Sequence, residues 1–267
     1  MATKPKTARP VRANAGVEAW YRNQLEDCIT AMHESMVLHI RAAYKRTPPT
    51  IGFAQDDVDP TVALQRTMKK WGDHWRKKLD GMSRDLAARF AKKNFRISQT
   101  AMKASFREAG FTVKFKPSKG SVSAYRAVLA ENVNLIKSIP DQYLKDVESS
   151  VWQSVMRGGD LHTLSRTLQK VHGVTSRRAA FIARDQNFKA KAIIENERRK
   201  ELGITEAIWQ HSSAGKVPRP THVAMNGCRF KLAKGMYDSA VEKNVFPGTE
   251  PNCRCSSSAI IPGLDEA

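Results

Sequence analysis

Two of the seven histidines and three of the four cysteines lie between His211 and Cys255, among proline and glycine turns. Cys253 and Cys255 are two residues apart, so on extended chain both thiols point to the same side. With His222 they offer three soft or borderline ligands, and His211 or Cys228 could complete a tetrahedral zinc site. The spacing is shorter than the common Cys-x2-Cys knuckle. Two other readings stay open: reduced thiols packed in a core with His222 bonded to a backbone carbonyl, or a disulfide. A second chemistry would use His211 and His222 as acid and base, with Arg219 on a phosphate and Asn252 beside them. No His-Asn-His spacing and no paired carboxylates accompany these residues, so the chain is expected not to be an enzyme.

Composition narrows the partners. Lys and Arg number 45 against 26 acidic residues, a net charge of +19 over 267 residues. Residues 176–267 hold 15 basic and 10 acidic side chains, leaving 30 against 16 in residues 1–175. The excess therefore sits in the first two thirds, which points to a polyanion such as double-stranded DNA, met without sequence preference. No helix-turn-helix or other reader motif stands out. A DNA-binding protein or a metal-dependent nuclease is the alternative reading. No run approaches the roughly 18–20 apolar residues of a membrane span, so no membrane partner is expected. The basic start, Met1 to Arg12, lacks the apolar core of a secretory signal. Four cysteines without such a signal favour a reducing compartment.

The elements that must position the site are mostly helical. Residues 1–15 read as a basic disordered arm, 16–174 as a helical domain and 175–267 as a small α+β domain; the fold class is α+β. Trp20, Leu25, Ile29, Met32, Met36 and Ile40 mark a helix over Gly16–Lys45, ended by Thr47-Pro48-Pro49. Asp56, Asp57 and Asp59 precede a helix opening at Pro60, where carboxylates suit its positive end. That helix runs to Ala109, with candidate bends at Gly72 and Gly81 and a candidate break at Arg96-Ile97-Ser98. Phe111–Phe115 alternates like a strand. Ser121 to His172 is helical again, with a break at Pro140, a turn at Gly158-Gly159-Asp160 and a left-handed cap at Gly173. Cys28 and the histidines at 33, 39, 74, 162 and 172 read as helix packing or surface. Thr175 then caps the clearest helix, whose last turn carries Arg198, Arg199 and Lys200 and which stops at Gly203. Inside it, Arg184 and Asp185 read as makers of structural hydrogen bonds. Ile204–His211 reads as a strand with Ala207, Trp209 and His211 on one face. Thr221–Met225, Asn226-Gly227 and Cys228–Leu232 read as a β-hairpin, and Cys253–Ile261 as a last strand.

Ala183-Arg184-Asp185-Gln186, then Gly203-Ile204 and Trp209, then Arg219-Pro220-x-His222-x4-Gly227-x2-Phe230, then Pro247-Gly248 and Asn252-Cys253-Arg254-Cys255 form an ordered set. The set resembles the phage Mu F-like head morphogenesis family, the minor head proteins of tailed bacteriophages. The resemblance covers roughly the last third of the chain. It implies a structural role: a low-copy protein of the virion, inside the capsid at the portal vertex, assembled in the host cytoplasm. Its implied partners are the portal protein and other head proteins. Many family members carry an acidic residue in the loop before the Arg and His. Here Ser212 to Pro218 has none, and His211 is the nearest residue that could take its place.

Overall fold

The computed structural model describes residues 5–46, 48, 60–157, 161–213 and 217–265. The Asp56–Asp59 cluster, the Gly158-Gly159-Asp160 turn and most of the Thr47–Pro49 stop lie outside them. The elements in order are β1 (Pro5–Ala8), α1 (Ala15–Arg46), α2 (Pro60–Glu108), α3 (Lys119–Met156), α4 (Leu161–Glu201), β2 (Glu206–Gln210), α5 (Pro220–Ala224), β3 (Arg229–Lys231), β4 (Met236–Asp238), β5 (Lys243–Val245) and β6 (Ser256–Asp265). A four-stranded sheet has the order β1-β6-β2-β3, and β4-β5 form a separate pair. All pairings are antiparallel. The α+β class expected from the sequence is what the chain adopts.

Two compact units divide the chain, one of Met1–Ala19, Ala88–Ala130 and Ala183–Ala267, the other of Trp20–Ala87 and Glu131–Ile182. In the second unit α1 buries Tyr21, Leu25, Ile29, Met32, Met36 and Ile40, a spacing of three and four that makes one apolar stripe. Tyr21, not Trp20, leads that stripe, and its hydroxyl donates to Asn132 Oδ1 at 3.0 Å. The helix begins just after Asn14, whose Oδ1 accepts the Val17 N–H at 3.0 Å, an ordinary N-cap. Cys28 is half-buried, its sulfur 3.7 Å from that of Met82. His33 is buried, 3.0 Å from the Tyr143 hydroxyl, and His39 stacks on Trp71.

Several expected interruptions do not occur. α2 is continuous past Gly72, Gly81 and Ile97, and α3 runs through Pro140. A mid-helix proline costs about 3 kcal/mol. Ile136, Ile139, Tyr143, Leu144 and Val147 around it are all buried, each contributing about 1.5–3 kcal/mol, so packing outweighs the break. α4 likewise passes through Gly173, which therefore caps nothing. Thr175 is buried in mid-helix and donates to the Val171 carbonyl at 3.0 Å. The real stops are Gly110 and Gly203, at φ +93° and +71°. In each the following N–H reaches five residues back, Phe111 to Phe106 and Ile204 to Arg199, the Schellman closure that needs a left-handed residue.

The first unit holds the sheet. Its core gathers Trp209, Phe230, Met225, Ala207, Ile204, Val245, Cys253, Cys255 and Ala259, with Met102 and Phe106 from α2. Residues 5–8 are not a disordered arm. They pair with β6, and Ala8 and Val11 are buried in this core. Phe111–Phe115 is not a strand either: its alternation places Phe111, Val113 and Phe115 against the core without sheet pairing. Arg198 and Arg199 in the last turn of α4 are buried. Arg199 grips β6 through Ser257 Oγ at 2.7 Å and its carbonyl at 2.8 Å, while Arg198 takes the Lys116 carbonyl at 2.7 Å.

Candidate metal centre

β2 supplies the wall. Ala207 and Trp209 are buried on its inner face, and Trp209 meets the His222 ring edge-on, centroids 5.2 Å apart. His211 lies one residue past the strand, half-exposed, with its backbone N–H donating to Asn226 Oδ1 at 2.9 Å.

The predicted hairpin is replaced by a helix and a return. Pro220 opens α5 at its first position, where the missing amide is no loss and the fixed φ already fits. One turn places His222 in the interior, 2% exposed. Asn226-Gly227 does make a left-handed turn, Gly227 at φ +78°, but at the end of this helix. Gly227 N–H then donates to Trp209 O, and Trp209 N–H to Cys228 O, both 2.9 Å. β3 therefore pairs with β2, Ala207 opposite Phe230, and not with residues 221–225.

The cysteines arrive on a braced loop. Gly248 sits at φ +86°, where a Cβ would come within 3.2 Å of the Cys255 carbonyl oxygen, and its N–H donates to Cys253 Sγ at 3.4 Å. Asn252 is also left-handed, at φ +59°, a conformation its short polar side chain tolerates. Its N–H donates to Asp185 Oδ1 at 2.6 Å, and Asp185 is tied to Lys189 at 3.0 Å. Asp185 thus does the structural work read from the sequence: it holds the loop to α4.

His222 Nδ1 lies 3.5 Å from Cys253 Sγ and 3.9 Å from Cys255 Sγ. All three donor atoms fall within 4.8 Å of one another. His222 Nε2 faces Asp238 Oδ2 at 3.1 Å. Asp238 ends β4 and is fully buried. Burial opposes its charge, but the Ala240 N–H, the Thr221 hydroxyl and the His222 ring outweigh it and hold the carboxyl below the usual range. An ionised carboxylate can only accept, so Nε2 carries a ring proton, and in the neutral ring Nδ1 offers its lone pair toward the sulfurs. Asp238 is invisible in the sequence, 16 residues from His222 in a stretch with no ligand-like spacing.

The two thiols are coupled, and their pKa values are pushed apart. Cys255 is drawn down to about 6, chiefly by the hydrogen bond from Cys253 and, against its burial, by the Ser212 N–H, the Trp209 indole and the charge of Arg219. Cys253 is pushed up by the same partnership and by burial. Such a pair titrates as a unit.

A cavity of about 630 Å³ opens beside the cluster, lined by Arg184, His211, Arg219, Asn252 and Arg254 with His222, Cys253 and Cys255. Arg219 is anchored by donating to the Pro251 carbonyl at 2.8 Å. The structure thus brings His222, Cys253 and Cys255 together and puts His211 on the same cavity, outside the 4.8 Å set. Cys228 is exposed and its sulfur turns to the Ala224 carbonyl at 3.6 Å; it takes no part in the cluster. The four cysteines are free thiols, so the disulfide reading falls.

Residues 145–258 match the family described as Phage Mu protein F like protein. An uncharacterized protein of Haemophilus influenzae is 27% identical over 262 residues, 96% of this chain and 55% of that protein. The chain thus spans about half the length of this curated relative. No solved structure gives a significant match. The matched span contains α5, β2 to β5 and the whole His222–Cys253–Cys255 cluster, so the resemblance drawn from Ala183 to Cys255 is supported: residues 145–258 are similar to the phage Mu F-like family.

Proposed function

We propose that this chain is a minor head-morphogenesis protein of a tailed bacteriophage, acting at the portal vertex while the procapsid assembles. The family match over residues 145–258 carries the reading. The matched span includes a braced, buried cluster on a short helix and a loop, which suits a rigid docking unit for the portal protein and its neighbours. Asp185, Asp238 and Trp209 all serve to hold that unit in shape, which supports a structural role in the head. No helix of the described residues is long and apolar enough to cross a membrane.

Contact with packaged DNA is the finer part of the proposal. On α2, Arg66, Lys69, Lys70, Lys77 and Lys78 are all exposed, with Asp73 and Asp80 the acidic residues among them. Such a helix attracts phosphate without reading bases.

The test is assembly. With the portal and other head proteins of the same phage co-expressed, the chain should enter procapsids at low copy and copurify with the portal. Its incorporation should fall to background when the portal is omitted. Equal incorporation with and without portal would overturn the portal-vertex assignment, and no incorporation at all would overturn the head-assembly reading.

A further inference from the structure

We propose that His222 Nδ1, Cys253 Sγ and Cys255 Sγ bind one zinc-class divalent cation, and that its fourth coordination position opens into the arginine-lined cavity. This stands independently of the head-assembly reading.

Geometry carries it. A tetrahedral ion with bonds of about 2.3 Å to sulfur and about 2.0–2.1 Å to nitrogen holds its S and N donors about 3.5 Å apart. The observed separations are 3.5 and 3.9 Å. One thiol S–H donating to Nδ1 would account for one of these approaches, but not for both sulfurs converging on the same nitrogen. The support behind the donors fits as well. Metal-bound histidines hand their other N–H to a carboxylate, which fixes the tautomer, and Asp238 at 3.1 Å from Nε2 does so here. The Gly248 N–H already donates to Cys253 Sγ, the kind of hydrogen bond that steadies a sulfur ligand.

Among the described residues the donor set has three protein members. Cys228 points away, Asp238 is behind the imidazole, and His211 stands on the cavity wall outside the donor set. The side of the cluster facing the cavity is thus left for solvent or a small anion. Arg184, Arg219 and Arg254 line that cavity, so an anionic ligand would be favoured there over a cationic or neutral one. Three protein ligands and one exchangeable position are the pattern of open zinc sites, in contrast to closed four-ligand ones.

The experiment uses the full chain purified under reducing conditions without chelator. Elemental mass spectrometry should find about one zinc per chain. After exchange for cobalt, sulfur-to-metal charge-transfer absorption and intense tetrahedral visible bands should appear, and azide should shift the visible bands. Cys253→Ser and Cys255→Ser should each lose the charge-transfer intensity in part and together abolish it, whereas Cys228→Ser should leave it unchanged. Asp238→Asn should weaken metal affinity about 10–100-fold in chelator competition, with the far-ultraviolet spectrum of the helices retained. Wild-type protein that takes up neither zinc nor cobalt would overturn the site. A cobalt spectrum that ignores azide and changes in His211→Ala would overturn the open position, because His211 would then be the fourth ligand. Metal uptake and the azide response are read on wild-type protein and do not depend on any variant folding.

Discussion

Among single residues, two glycines separate backbone conformation from close packing. Gly203 and Gly235 both sit at positive φ, +71° and +77°, but only at Gly235 would a Cβ strike backbone, 2.5 Å from the Val245 carbonyl oxygen. Gly203→Ala should therefore cost about 1–2 kcal/mol, the left-handed penalty alone. Gly235→Ala should cost clearly more, because β4 and β5 must also part. Urea unfolding of the two variants checks this. Equal midpoints would show that the hairpin yields freely and that the close approach is unimportant. The difference between the two glycines is set by tertiary contact, and the same holds at the candidate site. Cys253, Cys255 and His222 are legible in the sequence because their types and spacing are rare, and the fold brings them within 4.8 Å. Asp238 is not legible, since the register of β4 decides where it points and three-residue strands leave almost no pattern.

Element by element, the helices are plain in the sequence and their joints are not. Glycine and proline read as stops at Gly173 and Pro140, yet both lie inside continuous helices. Local propensity amounts to about 1–3 kcal/mol at such positions, and the buried faces on either side exceed it. Gly173 gives a direct test. In mid-helix, the Arg177 guanidinium is the one group near the place a Cβ would take, at 3.6 Å. Gly173→Ala should therefore stabilise the protein by about 0.5–1 kcal/mol. Were Gly173 a left-handed cap, the same change would destabilise it. The sign of the shift in the thermal midpoint decides. A second test joins three helices of one unit. His33 on α1 is hydrogen-bonded to Tyr143 on α3 and stacks on His172 of α4. Burial, and then the neighbouring His172, depress its pKa below the ordinary 6.5, with Gln169 and Glu34 opposing and Arg41 reinforcing. Below 6.5 the unfolded chain binds a proton that folded His33 refuses, so its contribution is fully present above that pH and is lost as pH falls towards the folded value. Denaturant midpoints should hold from about pH 8 to 7 and drop below about 6.5, with a shallower drop in His33→Gln. An unchanged slope in that variant would remove His33 as a cause.

For the whole molecule, charge is the most reliable thing the sequence offers, because a net +19 does not depend on fold. What the fold adds is where the charge is used. Arg198 and Arg199 are buried and bonded to backbone and Ser257, and Arg76 is paired with Asp141 at 2.8 Å. These contribute to structure more than to any partner. Arg66, Lys69, Lys70 and Lys77 stand exposed on α2. If the chain contacts DNA through backbone phosphates, its affinity should fall roughly 10³-fold or more between about 50 and 200 mM salt for about six phosphates neutralised. The dependence should be the same for unrelated duplexes of equal length. Replacing Arg66, Lys69, Lys70 and Lys77 together by Gln should flatten the log–log salt slope by up to about 3.6, each lost phosphate contact removing about 0.9. The same fourfold change should leave capture by the portal protein untouched, since the family-matched residues begin at 145. A salt slope that survives the four substitutions would place the polyanion contact elsewhere. Loss of portal capture with DNA affinity intact would show that α2 is a docking surface instead.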